Sequence, residues 1–349
     1  MKKVIITGVT GMDGSTMADY LINNTDHLIV AGIRRLSNDN HKNIQHLKNN
    51  PRFKLIALDI TDSSNVEAVI REEQPDYFIN FAANSFVGNS WTMPVNHMQT
   101  NCMAVLYQLE AIRKFAPNCR YYQAGSSEEF GDVVTIPQDE SHPIRPRSPY
   151  GASKAAARML VKVYRESYNL YAIQGWLFNH EGVRRGSEFV TRKITQNVAR
   201  IKKEIETGKK NTPLELGNLD SKRDWSDAED FVEGVWLMLN HPTPKEYVFS
   251  SNETHSVREF VELSFEHAGI KGSWLLVQDG DPTSEIFIDE NGECLVQINP
   301  KFYRPAEVDI LLGDSSLARK ELGWQPKSSF KQLVEKMVKN DLNLCNLNK

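Results

Sequence analysis

Three features of the sequence predict an α/β fold built on a doubly wound parallel sheet. Short apolar runs alternate with helical stretches from the N-terminus onward. The first run, Val4-Ile5-Ile6, passes directly into a glycine-rich turn and then a helix. Polar residues suited to chemistry cluster just after these runs, which in such a sheet is the carboxyl edge where ligands bind.

The elements follow in order. Val4-Ile5-Ile6 has the composition of a strand buried on both faces. The turn Thr7-Gly8-Val9-Thr10-Gly11-Met12-Asp13-Gly14 spaces its glycines three apart, and residues 15–23 read as helix. Strand, glycine turn and helix in that order form a dinucleotide-binding fingerprint. The glycines admit a pyrophosphate, and the helix N-terminus offers it N–H groups and a dipole. An ordinary strand–helix turn is the alternative. The second strand, residues 28–33, ends in Arg34-Arg35. An acid at that point would bind a ribose 2′-hydroxyl; arginines suit a 2′-phosphate and argue for NADP(H). Residues 54–58 read as a third strand closing on Asp59-Ile60, where adenine would be recognised. A helix at 64–73 leads to a fourth strand at 76–81 and the small residues Ala82-Ala83-Asn84-Ser85. Those either admit the cofactor ribose and nicotinamide or serve packing alone. Residues 101–115 read as a long helix and 120–124 as the fifth strand.

The chemistry gathers beyond that strand. Gly125-Ser126-Ser127-Glu128-Glu129 places a hydroxyl and a carboxylate two apart, able to face one cleft on an extended segment. Glu129, as the adjacent residue, is expected to point the other way. Tyr150 and Lys154 stand four apart at the start of a helix, so their side chains share a face. An ammonium beside a phenol is expected to lower the phenol pKa and fit it for proton transfer. A dehydrogenase needs only the hydroxyl, Tyr and Lys. The carboxylate adds the second acid/base that proton abstraction beside a carbonyl and loss of water require.

In the C-terminal half, Arg184, Arg185, Arg192 and Lys193 crowd a turn-rich stretch and are expected to clamp a diphosphate. Lys222, Arg223 and Arg304 add cations, and together they suggest an anionic substrate. Residues 201–208 read as an exposed cationic helix end, 231–239 and 257–268 as amphipathic helices, and 279–297 as an irregular loop. His180 is left open between a ligand and a hydrogen-bonded core histidine.

Composition bounds the rest. The 349 residues are 40% hydrophobic and 25% charged, with a net charge of −4, so nothing points to nucleic acid or a membrane as partner. Cys102, Cys119, Cys294 and Cys345 show neither metal-site nor disulfide spacing, and Met1-Lys2-Lys3 leads into a strand rather than a signal peptide. A cytoplasmic enzyme is expected.

On these residues the chain resembles the extended short-chain dehydrogenase/reductases and, among them, GDP-mannose 4,6-dehydratases. Motifs recur in order over nearly the whole length: GVTGMDGS, RPRSPYGASK, LFNHEGVRRGSEFVTRKI, LGNLDSKRDWSDA, HSVREF and YRPAEVD. The resemblance implies a Rossmann-type NADP(H) domain over 1–180. It implies a smaller substrate lobe over 181–349, with some segments returning to the first. It implies NADP(H) consumed and regenerated in each turnover, a GDP-sugar substrate (GDP-mannose or a close GDP-hexose or heptose) and a homo-oligomer, dimer or tetramer. Matched by position, the catalytic set is Ser126, Glu128, Tyr150 and Lys154. Cofactor contacts fall on Gly8, Thr10, Gly11, Met12 and Asp13, then on Arg34, Arg35, Ser37, Asp59 and Ile60. Ala82, Ala83, Ser85, His180 and Arg185 complete them, together with Tyr150 and Lys154. Substrate contacts fall on Ser85, Ser126, Glu128, Asn179, Lys193, Arg223 and Arg304. The chain departs from the family pattern at Ser126 (usually Thr), Leu36 (Ser), Asn96 (Tyr), and Gly125, Glu129 and Phe130 (Ser, Leu and Tyr). A nucleotide-sugar epimerase or an NADP-dependent reductase of the same fold is the alternative.

Overall fold

The computed structural model describes residues 1–35, 40–302 and 310–347. Ser37, Leu36 and Arg304 lie outside the described residues. Six apolar segments form parallel strands: β1 (Lys3–Thr7), β2 (Leu28–Ile33), β3 (Phe53–Ala57), β4 (Tyr77–Asn80), β5 (Arg120–Ala124) and β6 (Ala172–Leu177). A seventh, Tyr247–Phe249, returns from the second half of the chain to pair with β6. Their order is Tyr247–Phe249, β6, β5, β4, β1, β2, β3, all parallel. The direction of winding reverses between β1 and β4, which opens a crevice at the carboxyl ends of those two strands.

The helices are α1 (Met12–Asn24), α2 (Ser63–Glu73), α3 (Pro94–Met98), α4 (Ala104–Phe115), α5 (Pro149–Tyr168), α6 (Val190–Glu206), α7 (Ala228–Asn240), α8 (Val257–His267), α9 (Ser316–Leu322) and α10 (Phe330–Leu347). Side chains of α1 and α7 cover one face of the sheet, with Met17, Leu21, Phe231 and Val235 fully buried there. Side chains of α2, α4 and α5 cover the other through Val66, Ile70, Leu109, Ile112 and Val161. Helix starts are chemically marked. Asp62 caps α2 by accepting from the Ser64 and Asn65 amides, and Ser148 caps α5 by accepting from the Gly151 amide. Pro149 follows at the first turn, where its missing N–H costs nothing.

A second core joins α6, α8 and α10 to a four-stranded sheet, whose members include Leu214–Leu216, Glu285–Asp289 and Cys294–Ile298. Here the structure corrects two expectations and bears out a third. Residues 279–297 are not an irregular loop: Glu285–Asp289 and Cys294–Ile298 pair as an antiparallel hairpin with Phe287 in the core. The Asp, Glu and Gly that suggested a loop belong to the turns at either end. Asp289 accepts from the Asn291 and Glu293 amides, and Gly292 takes a φ of +80°. Residues 201–208 do hold the end of a helix, which begins at Val190 and closes at Glu206; residues 205–208 are exposed and Ile201 is fully buried. The helix expected from 101 begins at Pro94 and passes through a π-helical turn, Gln99–Met103, into α4. No helix among the described residues is long and apolar enough to cross a membrane.

Candidate active site

A cleft of about 1360 Å³ opens at the reversal point of the sheet. Gly8, at φ +68°, turns the chain out of β1, and a Cβ there would lie 2.7 Å from the Ala82 amide nitrogen. Gly14 is pressed against the Gly8 carbonyl so closely that any side chain would collide. The ends of β1 and β4 therefore meet over a cradle only glycine permits. Gly8, Thr10, Gly11, Met12 and Asp13 form its floor. Asp59 and Ile60 line one side, Ala82, Ala83 and Ser85 another, and Arg34 and Arg35 stand exposed at the rim. The cradle and the paired arginines suit a dinucleotide bearing a 2′-phosphate. Beneath it a buried polar chain fixes the strand ends. Thr7 donates to Asn80 at 2.5 Å and accepts from the Ala82 amide, while Asn80 donates to Gln123 at 2.7 Å.

Asp13 ties this floor to the second half of the chain. His180 Nε2 lies 3.0 Å from Asp13 Oδ1, and His180 Nδ1 donates to the Phe178 carbonyl at 2.8 Å. With both nitrogens facing acceptors the ring is suited to carry a proton. Burial pulls the His180 pKa down, but the Asp13 carboxylate outweighs it and leaves the pKa raised. His180 is therefore a hydrogen-bonded histidine between Asp13 and Phe231, its ring centroid 4.8 Å from that of Phe231. Arg185 lines the cleft, pairs with Glu181 at 3.0 Å and stacks 3.5 Å over the Phe189 ring.

Ser126, Glu128, Tyr150 and Lys154 meet beside β5. Ser126 leaves the strand in extended conformation, but residues Ser127–Glu129 form a 3-10 turn rather than an extended segment. Ser126 Oγ caps that turn, accepting from the Glu128 amide at 3.3 Å. The turn abuts the N-terminus of α5, where a Cβ on Gly151 would lie 2.5 Å from the Glu128 carbonyl. Tyr150 and Lys154, both buried on α5, project into the same corner, and the Tyr150 hydroxyl is hydrogen-bonded to Ser126.

The Tyr–Lys pair does not act as the spacing predicts. Lys154 Nζ lies 5.9 Å from the Tyr150 ring centroid and donates to the Ala124 carbonyl at 2.9 Å. Burial first of all pushes the Tyr150 pKa up, the Ser126 hydrogen bond opposes it, and Glu128 and Glu129 raise it further. Burial also pushes Lys154 down to about 8, against the pull of Glu129 and Asp13. Burial thus dominates, and the phenol pKa stands above its ordinary value rather than below it. Glu129 faces away from Glu128 into the core, as expected of its neighbour, and is fully buried.

The C-terminal cations disperse instead of forming one clamp. Arg184 pairs with Asp19 on α1, and Arg192 is buried against Asp341 on α10 at 2.8 Å. Lys193 donates to the Glu215 carbonyl at 2.7 Å and lies 3.7 Å over the Phe302 ring, in a separate hollow of about 510 Å³. Arg223 sits on a two-residue strand and donates to the Lys222 carbonyl. Asn179 precedes His180 and pairs in register with Trp225; its buried Oδ1 has no partner among the described residues, which leaves it able to accept from a ligand.

Two residues escaped the sequence reading. Asn101, in the π-helical turn, accepts from the Asn84 amide and donates to the Asn84 carbonyl and to Ser153, linking the cleft wall to α5. His97 packs edge-on to Tyr150 with centroids 6.1 Å apart. Neither carries a local signal, since each meets its partner across some fifty residues of sequence. Asn96, in place of the family's Tyr, hydrogen-bonds Asn84.

The fold and this corner define an extended short-chain dehydrogenase/reductase type of enzyme. Among solved structures the chain is similar to dTDP-glucose 4,6-dehydratase from Bacillus anthracis in complex with NAD. The TM-score is 0.79 at 20% identity, over 97% of this chain and 96% of that one. It is also similar to RMD from Pseudomonas aeruginosa complexed with NADPH, with TM-score 0.76 at 20% identity over 99% and 100%. The model of the family GDP-mannose 4,6 dehydratase matches residues 5–337. GDP-mannose 4,6 dehydratase of Drosophila melanogaster is 44% identical over 99% of this chain and 88% of its own length. The chain belongs to the GDP-mannose 4,6-dehydratase family, whose members are hydro-lyases.

Proposed function

We infer that the protein converts GDP-mannose, or a close GDP-hexose or heptose, to its 4-keto-6-deoxy derivative with loss of water. The carrying observation is that Ser126 and Glu128 share one capped turn against Tyr150. A carboxylate beside the hydroxyl–phenol pair supplies the second acid/base that elimination needs and a plain epimerase or reductase does not.

Gly8, Thr10, Gly11, Met12, Asp13, Asp59, Ile60, Ala82, Ala83 and Ser85 would hold a nicotinamide cofactor in the cleft. Arg34 and Arg35, with Ser37 following, favour NADP(H) over NAD(H). When bound, the nicotinamide would supply a reversible hydride acceptor, which leaves the overall reaction without net redox. Tyr150 takes the C4 hydroxyl proton as its phenolate, the form that a cationic nicotinamide and Lys154 would favour, while Ser126 holds the C4 oxygen. The resulting ketone acidifies C5–H; Glu128 removes that proton, delivers one to the departing C6 hydroxyl and, reprotonated from solvent, returns a proton to C5 as C6 is reduced. Lys154 keeps a positive charge beside the phenol and, with His180 and Arg185, orders the wall of the cleft. Lys193, Arg223 and Arg304, from the lobe that residues 181–349 mainly build, hold the GDP-sugar together with Asn179. Apolar Met159 and Val163, exposed one turn apart on α5, support a homo-oligomer, and four free cysteines suit a cytoplasmic setting.

The test is incubation with GDP-mannose in deuterium oxide beside a panel of GDP-, dTDP-, CDP- and UDP-sugars. Expected are loss of one water from GDP-mannose, solvent deuterium at C5, and no net change in cofactor absorbance. Steady oxidation of NADPH identifies a reductase instead. An isomer of unchanged mass identifies an epimerase.

A further inference from the structure

Three departures from the family pattern, Gly125, Glu129 and Phe130, belong to one connected arrangement behind the catalytic turn. Gly125 leaves the room that Gln174 occupies, since a Cβ there would lie 2.7 Å from Gln174 Nε2. That amide donates to both carboxylate oxygens of Glu129, at 3.0 and 2.9 Å. Trp176 Nε1 donates to one of them at 3.1 Å, and Phe130 stacks on the Trp176 ring with centroids 5.5 Å apart. The Ser126 amide donates to Glu129 at 2.9 Å. Every named partner is a donor, the pattern an ionised carboxylate requires.

A buried carboxylate needs a counter-charge. The titratable and charged groups facing it are Lys154, Arg158 and Tyr150 from α5 and Tyr122 from β5; the β6 partners Gln174 and Trp176 are neutral. Arg158 shares Glu246 with Arg165, at 2.7 and 3.2 Å, and lies 4.6 Å over the Trp176 ring. Lys154 and Glu129 grip the same short segment: the ammonium donates to the Ala124 carbonyl at 2.9 Å, and the carboxylate holds the Ser126 amide two residues on, with Asp13 supporting Lys154 from the cleft side.

We propose that Glu129 is a positioning residue for the dehydration, its buried carboxylate clamping the Ser126 amide and holding Lys154 in its charged form. This rests on the roles given above to Ser126, Tyr150 and Lys154. Burial raises Glu129 to about 7 and lowers Lys154 to about 8, so the two charges coexist over a narrow range around neutral pH. Removing the carboxylate strips Lys154 of support and drives its pKa lower still.

The experiment compares wild type, Glu129→Gln and Glu129→Leu in two readouts. NMR of isotope-labelled lysine, with Lys154→Met assigning the signal, follows the titration of Lys154 with no substrate present. The pH profile of kcat/KM on GDP-mannose follows catalysis. In the variants the Lys154 midpoint should fall by roughly half a pH unit or more, the size of loss expected for one nearby charge. The alkaline limb of the rate profile should move down with it. A purely structural role would lower the rate at every pH and leave both midpoints in place. An unchanged Lys154 midpoint in Glu129→Gln and Glu129→Leu overturns the proposal. Should wild type release no water from GDP-mannose while the midpoint still falls, the charge pairing stands and the substrate reading is the one that fails.

Discussion

The two walls of the cleft are held by different means. On the sheet side, position is fixed by backbone: Gly8 at φ +68°, Gly14 against the Gly8 carbonyl, and a polar chain from Thr7 to Gln123. On the lobe side, position is fixed by side-chain pairs such as Arg184–Asp19, Arg185–Glu181 and Arg192–Asp341. Backbone constraints write themselves into residue type, because only glycine satisfies them. Ion pairs do not, because an arginine reads the same whether it meets a phosphate or a buried aspartate. The sheet side is therefore built to accept a ligand of fixed shape, whereas many lobe cations hold the protein to itself.

The largest expected effects sharpen what lies between the walls. Glu128→Gln should keep the corner intact but lose the C5 proton acceptor, lowering kcat by about a hundredfold to ten-thousandfold. Tyr150→Phe should cut the rate as deeply and halt the reaction earlier, with no cofactor reduction on mixing with GDP-mannose. If Glu128→Gln releases 6-deoxy product at the wild-type rate, Glu128 is not the acid/base. Next, Arg192→Ala and Lys193→Ala, neighbours on one helix, should part company. Arg192→Ala leaves Asp341 buried without its cation and should cost about 3–5 kcal/mol of stability, read by denaturant unfolding. Lys193→Ala should leave stability nearly unchanged and raise KM for the GDP-sugar. Equal behaviour of the two variants would break the contrast drawn between internal and ligand-facing cations.

A smaller effect tests the rim. Replacing Arg34 and Arg35 together by Ala should weaken NADP(H) binding about tenfold or more while leaving NAD(H) affinity in place, since only the former carries the 2′-phosphate. Equal wild-type affinity for NAD⁺ and NADP⁺ would remove this reading. The smallest concerns pH and stability. The Glu129 carboxyl is raised to about 7 from an ordinary 4.5, so the folded protein holds that proton where the unfolded chain has released it. The associated stability is fully present below the ordinary value and lost as pH rises through about 7. Unfolding at successive pH values should show a decline on the order of 1–3 kcal/mol between mildly acidic and mildly alkaline buffer. Glu129→Gln should flatten it.

Much of the sheet side was legible in the sequence because strand, glycine turn and helix carry their geometry in residue type and spacing. The first five strands fall where the apolar runs place them, to within a residue or two at their ends. The hairpin at 285–298 was hidden because its acidic turns dominate the composition of the stretch and only Phe287 of its first strand is fully inward. Spacing correctly put Tyr150 and Lys154 on one helix face but could not show that burial would outweigh their mutual charge. The Lys154 ammonium finds its partner in the Ala124 carbonyl, 30 residues earlier in the chain, and no local pattern records that bond. Asn101 was silent for the same reason, its bonds running to Asn84 and Ser153, both distant in sequence.

The short strand Tyr247–Phe249 has a consequence for how the chain is made. It seals the outer edge of β6, whose six residues are all buried, with a segment synthesised some 70 residues after β6 itself. Until the ribosome has delivered that segment, β6 presents an unpaired apolar edge, the kind of surface on which nascent chains stick to one another. Production of this enzyme should depend on elongation rate and on chaperone cover during that interval. A stop codon placed between β6 and residue 247 should yield inclusion bodies, not a soluble N-terminal domain.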